Sequence, residues 1–206
     1  IQENHIDWHV THWRPRNQIH IGDGAFCRIS LSGIVDPGWI GYYGIDWHDL
    51  TGIGSPGNVG RDPGGIELDG RVDDEHFGTL LRGVDPKSGN PLRSSRGPSR
   101  TAGFDLTFSA PKSVSVLFGI ADEDTVDLVR RAHDEAVTAA LGYLEREATF
   151  TRRGTNGREV LRGEGLVIAA FRHRTSRAGD PQLHTHAVVA NTTFAAGAWS
   201  SLDSRA

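Results

Sequence analysis

The chain has 206 residues, 37% of them hydrophobic and 23% charged, with a formal net charge of −4. That length supports one sizeable domain with its own core, or a domain plus an appendage. No apolar run nears the ~18 residues that cross a bilayer, no charged-then-apolar secretory start is present, and the lone Cys27 excludes an internal disulfide and fits a reducing compartment.

Residues 1–65 hold four of the five tryptophans, five histidines and the Gly/Pro-rich run "GIGSPGNVGRDPGG", with no sustained helical or strand period. Periodic text begins at Ile66, so 1–65 is taken as an irregular N-terminal segment and 66–206 as the main domain, incomplete at its C-terminus. The Ile1 start and the absence of methionine read as a fragment or a chain trimmed at its start. "VDDEHFGTLLRG" predicts a short helix, with Asp73 as cap, Phe77, Leu80 and Leu81 as the apolar face and Gly83 as the stop. A Pro/Gly/Ser-rich loop at 84–100 leads to a strand in "AGFDLTFSAP" that ends at Pro111. "APKSVSVLFGI" fits strand or helix; proline at a first helical position favours a short helix. The clearest element is a long helix behind the cap Asp122, with Val126, Val129, Ala132, Ala136, Val137, Ala140, Leu141 and Leu144 at helical spacing. Gly-Thr-Asn-Gly at 154–157 then marks a hairpin, and two longer extended runs follow at 165–176 and 182–194. The order of elements predicts an α+β fold, a central antiparallel sheet with flanking helices.

Three of the ten histidines, His173, His184 and His186, fall within fourteen positions. His184 and His186 leave the same face of a strand. The turn formers of "RAGDP" join the two runs, and pairing centred between Ala178 and Gly179 sets His173 opposite His184, at about 5 Å between Cβ atoms, with His186 on the diagonal. A slip of one residue turns His173 to the other face. In that register three imidazoles converge on an ion-sized point, a donor set that suits a divalent metal with coordination positions left open for chemistry. Taken singly, each histidine is more often a core or surface residue than a ligand. A rival set in "HIDWHVTHW", His5, His9 and His12, shares one helical face but lacks a zincin Glu and is ranked as incidental.

"GFDLTFSAPKSVSVLFG" at 103–119, "FRHRTSRAGDPQLHTHAVVAN" at 171–191 and "LDGRVDDEHFGTLLRGVDPKSGNPL" at 68–92 together resemble the TrwC/TraI-like (MobF-type) conjugative relaxases of the HUH single-strand endonucleases. The resemblance covers roughly residues 66–202 and implies a palm-like antiparallel sheet. It implies a metal on His173, His184 and His186, magnesium or manganese first and zinc as an alternative, since imidazoles accept several ions. It implies that Asp105 acts beside the site, holding a ligand histidine or helping to deprotonate the nucleophile. The family reaction is a tyrosine transesterification that nicks and religates single-stranded DNA at an origin of transfer.

The sequence departs from that pattern in its tyrosines. Tyr143 lies on the long helix, and Tyr42 and Tyr43 lie about thirty residues before "VDDEHF", where the family's second tyrosine pair falls; no tyrosine stands upstream. Tyr42 and Tyr43 are therefore the candidate nucleophiles, with packing or base stacking as their other roles. Arg100, Lys112, Arg172, Arg174 and Arg177 are candidate phosphate contacts, each weighed against an ordinary solvated ion pair. Gln182 and Asn191 are candidate supports of the site or contacts to bases. The absence of G-x-x-x-x-G-K-[ST] gives no support for a helicase within these residues. The resemblance further implies a bacterial cytoplasmic protein in plasmid mobilisation, with relaxosome accessory proteins and a type IV secretion coupling protein as partners and no membrane association. Two other functions stay open: a DNA-binding remnant without a working nucleophile, and a three-histidine hydrolase that activates water.

Overall fold

The computed structural model describes residues 75–92, 101–176 and 178–203, together with the backbone of Asp74 and of three earlier strands. In chain order the strands are β1 (Gln18–Ile19), β2 (Arg28–Val35), β3 (Leu50–Gly52), β4 (Gly103–Ser109), β5 (Phe150–Arg153), β6 (Glu159–Arg162), β7 (Ile168–Thr175), β8 (Pro181–Ala190), β9 (Thr193–Ala195) and β10 (Ala198–Ser200). The helices are α1 (Asp74–Leu81), α2 (Lys112–Ile120) and α3 (Glu123–Ala148).

Local chemistry accounts for the helix ends. Asp122 caps α3 by accepting the Thr125 backbone N–H at 2.9 Å, and two acidic residues fill the first turn, where the helix dipole favours them. α1 stops at Gly83, whose φ of 77° suits glycine and lets its N–H reach the Leu80 carbonyl at 2.8 Å. The expected cap Asp73 lies outside the described residues. Pro111 sits just ahead of α2, at its N-cap, and the ambiguous "APKSVSVLFGI" resolves as the helix.

One sheet of order β1-β2-β4-β8-β7-β3 organises these elements, and each neighbouring pair is antiparallel. The fold class is therefore the expected α+β. Three of its strands come from the segment in which no strand period was read. In β2, Ile29 and Leu31 alternate with Ser30 and Ser32, but a bulge between Leu31 and Gly33 breaks the phase, so the period of two is too short to register. The expected single run at 182–194 is also two strands, β8 and β9, and β9 pairs with the unforeseen β10. β5 and β6 form the expected hairpin.

The two faces of the sheet differ in chemistry. On the back, Phe108, Ile168, Ala187 and Val189 pack with Val137, Ala140 and Leu141 of α3, while Leu183 packs with Phe118 of α2 and Val129 of α3. On the front, α1 covers only one end, setting Phe77, Leu80 and Leu81 against Ala169, Phe171, Val188 and Ala190. Phe77 meets Phe171 edge to face at 6.4 Å between centroids. The front face beyond Phe171 and Val188 is polar, and the histidines lie there.

Candidate metal centre

β7 and β8 pair in the register expected from the turn: His173 is opposite His184, Phe171 opposite His186 and Arg172 opposite Thr185. Alternation then sends the three histidines to the front of the sheet. Their ring centroids stand 5.0, 5.2 and 5.2 Å apart, and one ligand atom from each lies within 4.8 Å of the others. No other group of three or more metal-type ligands occurs among the described residues.

β4 supplies the support. Its residues Asp105, Thr107 and Ser109 face Val188, His186 and His184 across the ladder and so share the front face. Asp105, fully buried, sets both carboxylate oxygens against His186 Nδ1, at 3.0 and 2.9 Å, and Thr107 Oγ1 stands 3.2 Å from the same nitrogen. A carboxylate accepts only, so Nδ1 carries the hydrogen and Nε2 is the nitrogen left for a metal. His184 repeats the arrangement with a different acceptor: its Nδ1 donates to the Gln182 carbonyl at 2.9 Å. Burial lowers the His184 pKa, with the Gln182 hydrogen bond opposing that shift and the neighbouring His186 adding to it. Burial thereby favours the neutral ring, the form a metal ligand requires. Donors of one kind, converging, with two ring orientations fixed from behind, fit a divalent cation.

The other expected site residues are placed less uniformly. Tyr42, Tyr43, Arg100 and Arg177 lie outside the described residues, as do His5, His9 and His12. Tyr143 is on α3, behind the sheet from the histidines. Lys112 is exposed and pairs with Asp180. Arg174 is exposed, with its guanidinium 4.9 Å from the centroid of Phe118. Arg172 departs from expectation: its side chain is 9% exposed and held at the back by Asp134 of α3, so it is an internal ion pair. Gln182 supports the site through its main-chain carbonyl. Asn191 is structural, bridging the Thr101 carbonyl and the Leu202 N–H.

Two residues that matter here escaped the sequence reading. Ser115 Oγ, fully buried, accepts the Leu183 N–H at 3.0 Å and fastens α2 to β8 beside His184. His133, also fully buried, lies 2.9 Å from Thr185 Oγ1 through Nε2. Its signal was available: it interrupts the stripe Val129, Val137, Leu141 at intervals of four, a titratable ring where the helix pattern calls for an aliphatic side chain.

With that geometry established, comparison with known proteins is specific. The family profile described as TrwC relaxase matches residues 51–206. The multifunctional conjugation protein TraI of Escherichia coli is 41% identical over 182 residues, covering 85% of this chain and 10% of TraI. The chain thus spans about a tenth of the length of the curated relatives it matches. The metal-free structure of the conjugative relaxase TrwC in complex with oriT DNA is similar at a TM-score of 0.68 and 34% identity, over 85% of this chain and 60% of that one. The metal-bound TrwC complex with oriT DNA gives 0.67 and 33%, over 86% and 62%.

Proposed function

The chain belongs to the TrwC relaxase family, and from that premise we propose that it is the nicking domain of a conjugative relaxase. It binds single-stranded DNA at an origin of transfer and cuts and rejoins one strand. The observation that carries this reading is the trio His173, His184 and His186, with two of the rings oriented by the Asp105 carboxylate and the Gln182 carbonyl.

In the reaction a tyrosine oxygen bonds to the scissile phosphorus as the bond from phosphorus to the 3′-oxygen breaks. The tyrosine proton passes to a base, the departing 3′-oxygen takes one up, and the products are a 3′-hydroxyl and a 5′-phosphotyrosine. One phosphodiester replaces another without water, so the reverse attack reseals the strand. Tyr42 and Tyr43 are the candidate nucleophiles, and a phenol of pKa near 10 needs help to lose its proton. His173, His184 and His186 would hold a divalent cation, which when bound would supply Lewis-acid stabilisation of the charge on the phosphate. The chain's own part is orientation: Asp105 keeps the hydrogen on His186 Nδ1, and the Gln182 carbonyl keeps one on His184 Nδ1, which leaves both Nε2 atoms for the ion. Lys112 and Arg174, with Arg100 and Arg177, are the phosphate contacts this reading assigns; Arg172 is withdrawn from that set. The cytoplasm, relaxosome accessory proteins and a type IV secretion coupling protein complete the setting. Among the described residues, no helix is long and apolar enough to cross a membrane.

The test is covalency. Labelled single-stranded origin DNA and Mg²⁺ or Mn²⁺ are added to the protein, and a denaturation-resistant adduct is expected that disappears in Tyr42→Phe or Tyr43→Phe. Binding without an adduct identifies a remnant lacking its nucleophile. Cleavage without an adduct identifies hydrolysis by activated water. Either result overturns the proposal.

A further inference from the structure

We propose that His133 and Asp134, successive residues of α3, act from the back of the sheet as positioning residues that set the spacing of the histidines on its front. The inference rests on the reading that those histidines hold a divalent ion.

Strand alternation makes the link. Arg172 immediately precedes His173, and Thr185 sits between His184 and His186, so each gripped residue is adjacent to a ligand but points to the opposite face. Arg172 and Thr185 are themselves cross-strand partners. Both are held by the same turn of α3. Arg172 Nη1 donates to both Asp134 oxygens at 2.8 Å, and His133 Nε2 lies 2.9 Å from Thr185 Oγ1. The helix therefore ties β7 to β8 at the one cross-strand position that lies between the ligands.

The ladder alone does not secure this place. A register shift between His173 and Thr175 interrupts the β7–β8 pairing directly after the first ligand. Beyond it the turn is held by hydrogen bonds between Ser176 and Asp180 and by Lys112 of α2, which pairs with Asp180 and donates to the Pro181 carbonyl at 2.9 Å. A bulge leaves a residue unpaired and bends the strand, and His173 stands at its edge. Tying Arg172 to α3 fixes the strand one residue before the candidate ligand.

Energetics argue against packing as the reason for His133. The residue lies in the apolar stripe of α3, and its Nδ1 has no hydrogen-bond partner among the described residues. Burying a polar group without a partner is unfavourable. Leucine would continue the stripe of Val129, Val137 and Leu141 without that penalty, but it could not bond to Thr185.

Cobalt(II) titration of the full chain, followed by visible absorption, tests the clamp alongside thermal melts without metal. His133→Leu and Asp134→Ala are each expected to weaken Co²⁺ binding about 10- to 100-fold and to change the ligand-field spectrum, the size of effect seen when support behind a metal ligand is lost. His133→Gln can restore a hydrogen bond to Thr185 and is expected to bind within about threefold of the parent. A purely structural role would move the melting temperature and leave affinity and spectrum unchanged in the folded variants, and that result overturns the proposal. Should His133→Leu fail to fold, Asp134→Ala decides, because its side chain is 35% exposed and its loss leaves no buried hole. If the parent chain binds no Co²⁺, the metal reading fails and the clamp falls with it; if the parent binds and the variants bind equally, only the clamp fails.

Discussion

Asp105 and His186 lie 81 residues apart in the chain, yet both oxygens of the Asp105 carboxylate stand within 3.0 Å of His186 Nδ1. This pair fixes the tautomer of one imidazole and joins β4 to the histidine hairpin. Asp105→Ala frees the ring to rotate and lowers its basicity, and metal affinity measured by calorimetry is expected to fall about 10- to 100-fold. Asp105→Asn keeps one acceptor oxygen and should fall between the two. Equal affinity in all three proteins would leave the carboxylate without a role in the site.

Metal loading should also show as stability. An ion that binds the folded chain alone, at a free concentration of 100 times its Kd, adds about 2.7 kcal/mol. The melting temperature is therefore expected to rise on adding Mn²⁺ or Co²⁺ and to return on adding chelator. His184→Ala should abolish most of that rise. A metal-dependent shift of unchanged size in this variant would place the ion elsewhere.

The buried His133 gives the fold an acid sensitivity of known sign. Burial holds its pKa down at about 4, with Asp134 opposing the shift and Arg172 and His184 adding to it, against 6.5 for the free side chain. Between those values the unfolded chain takes up a proton that the folded chain refuses, so stability drops as pH falls from about 6.5 towards 4 and is fully present above that window. A shift of that size corresponds to about 3 kcal/mol. Denaturant melts in chelator from pH 7.5 to 4.5 should show this slope, and His133→Leu should flatten it.

Gly103 opens β4 where the strand runs close against β8. A methyl group there would come within 2.6 Å of the Val189 carbonyl oxygen, a main-chain atom that cannot swing aside. Gly103→Ala is expected to lower stability by about 1–3 kcal/mol, the usual range for overpacking. A thermal melt of the metal-free protein measures it.

The histidine site was readable because its information is local. A five-residue turn and a period of two place His173, His184 and His186 on one face, and neither step depends on distant sequence. The long helix was readable for the same reason: its cap Asp122 and its apolar stripe lie in one segment. Asp105 was reached only through resemblance, since nothing near "GFDLTF" says which strand it will join. β2 was missed because the bulge at Ser32 cuts its alternation into pieces shorter than the pattern needs. Arg172 was misassigned because an arginine beside a metal ligand and an arginine at a helix interface look alike until the face of the strand is known.

The order of strands has a further consequence for assembly. All three candidate ligands belong to one hairpin, whereas Asp105 comes from a strand 81 residues before the histidine it holds. Loop closure costs about 0.6 kcal/mol for each doubling of length, and the longer loop is about three doublings beyond that of the hairpin, or nearly 2 kcal/mol of extra entropy. Chain statistics thus favour a ligand set that closes on itself before its carboxylate arrives. The histidine trio is complete within one hairpin, and its carboxylate is supplied by a distant part of the chain.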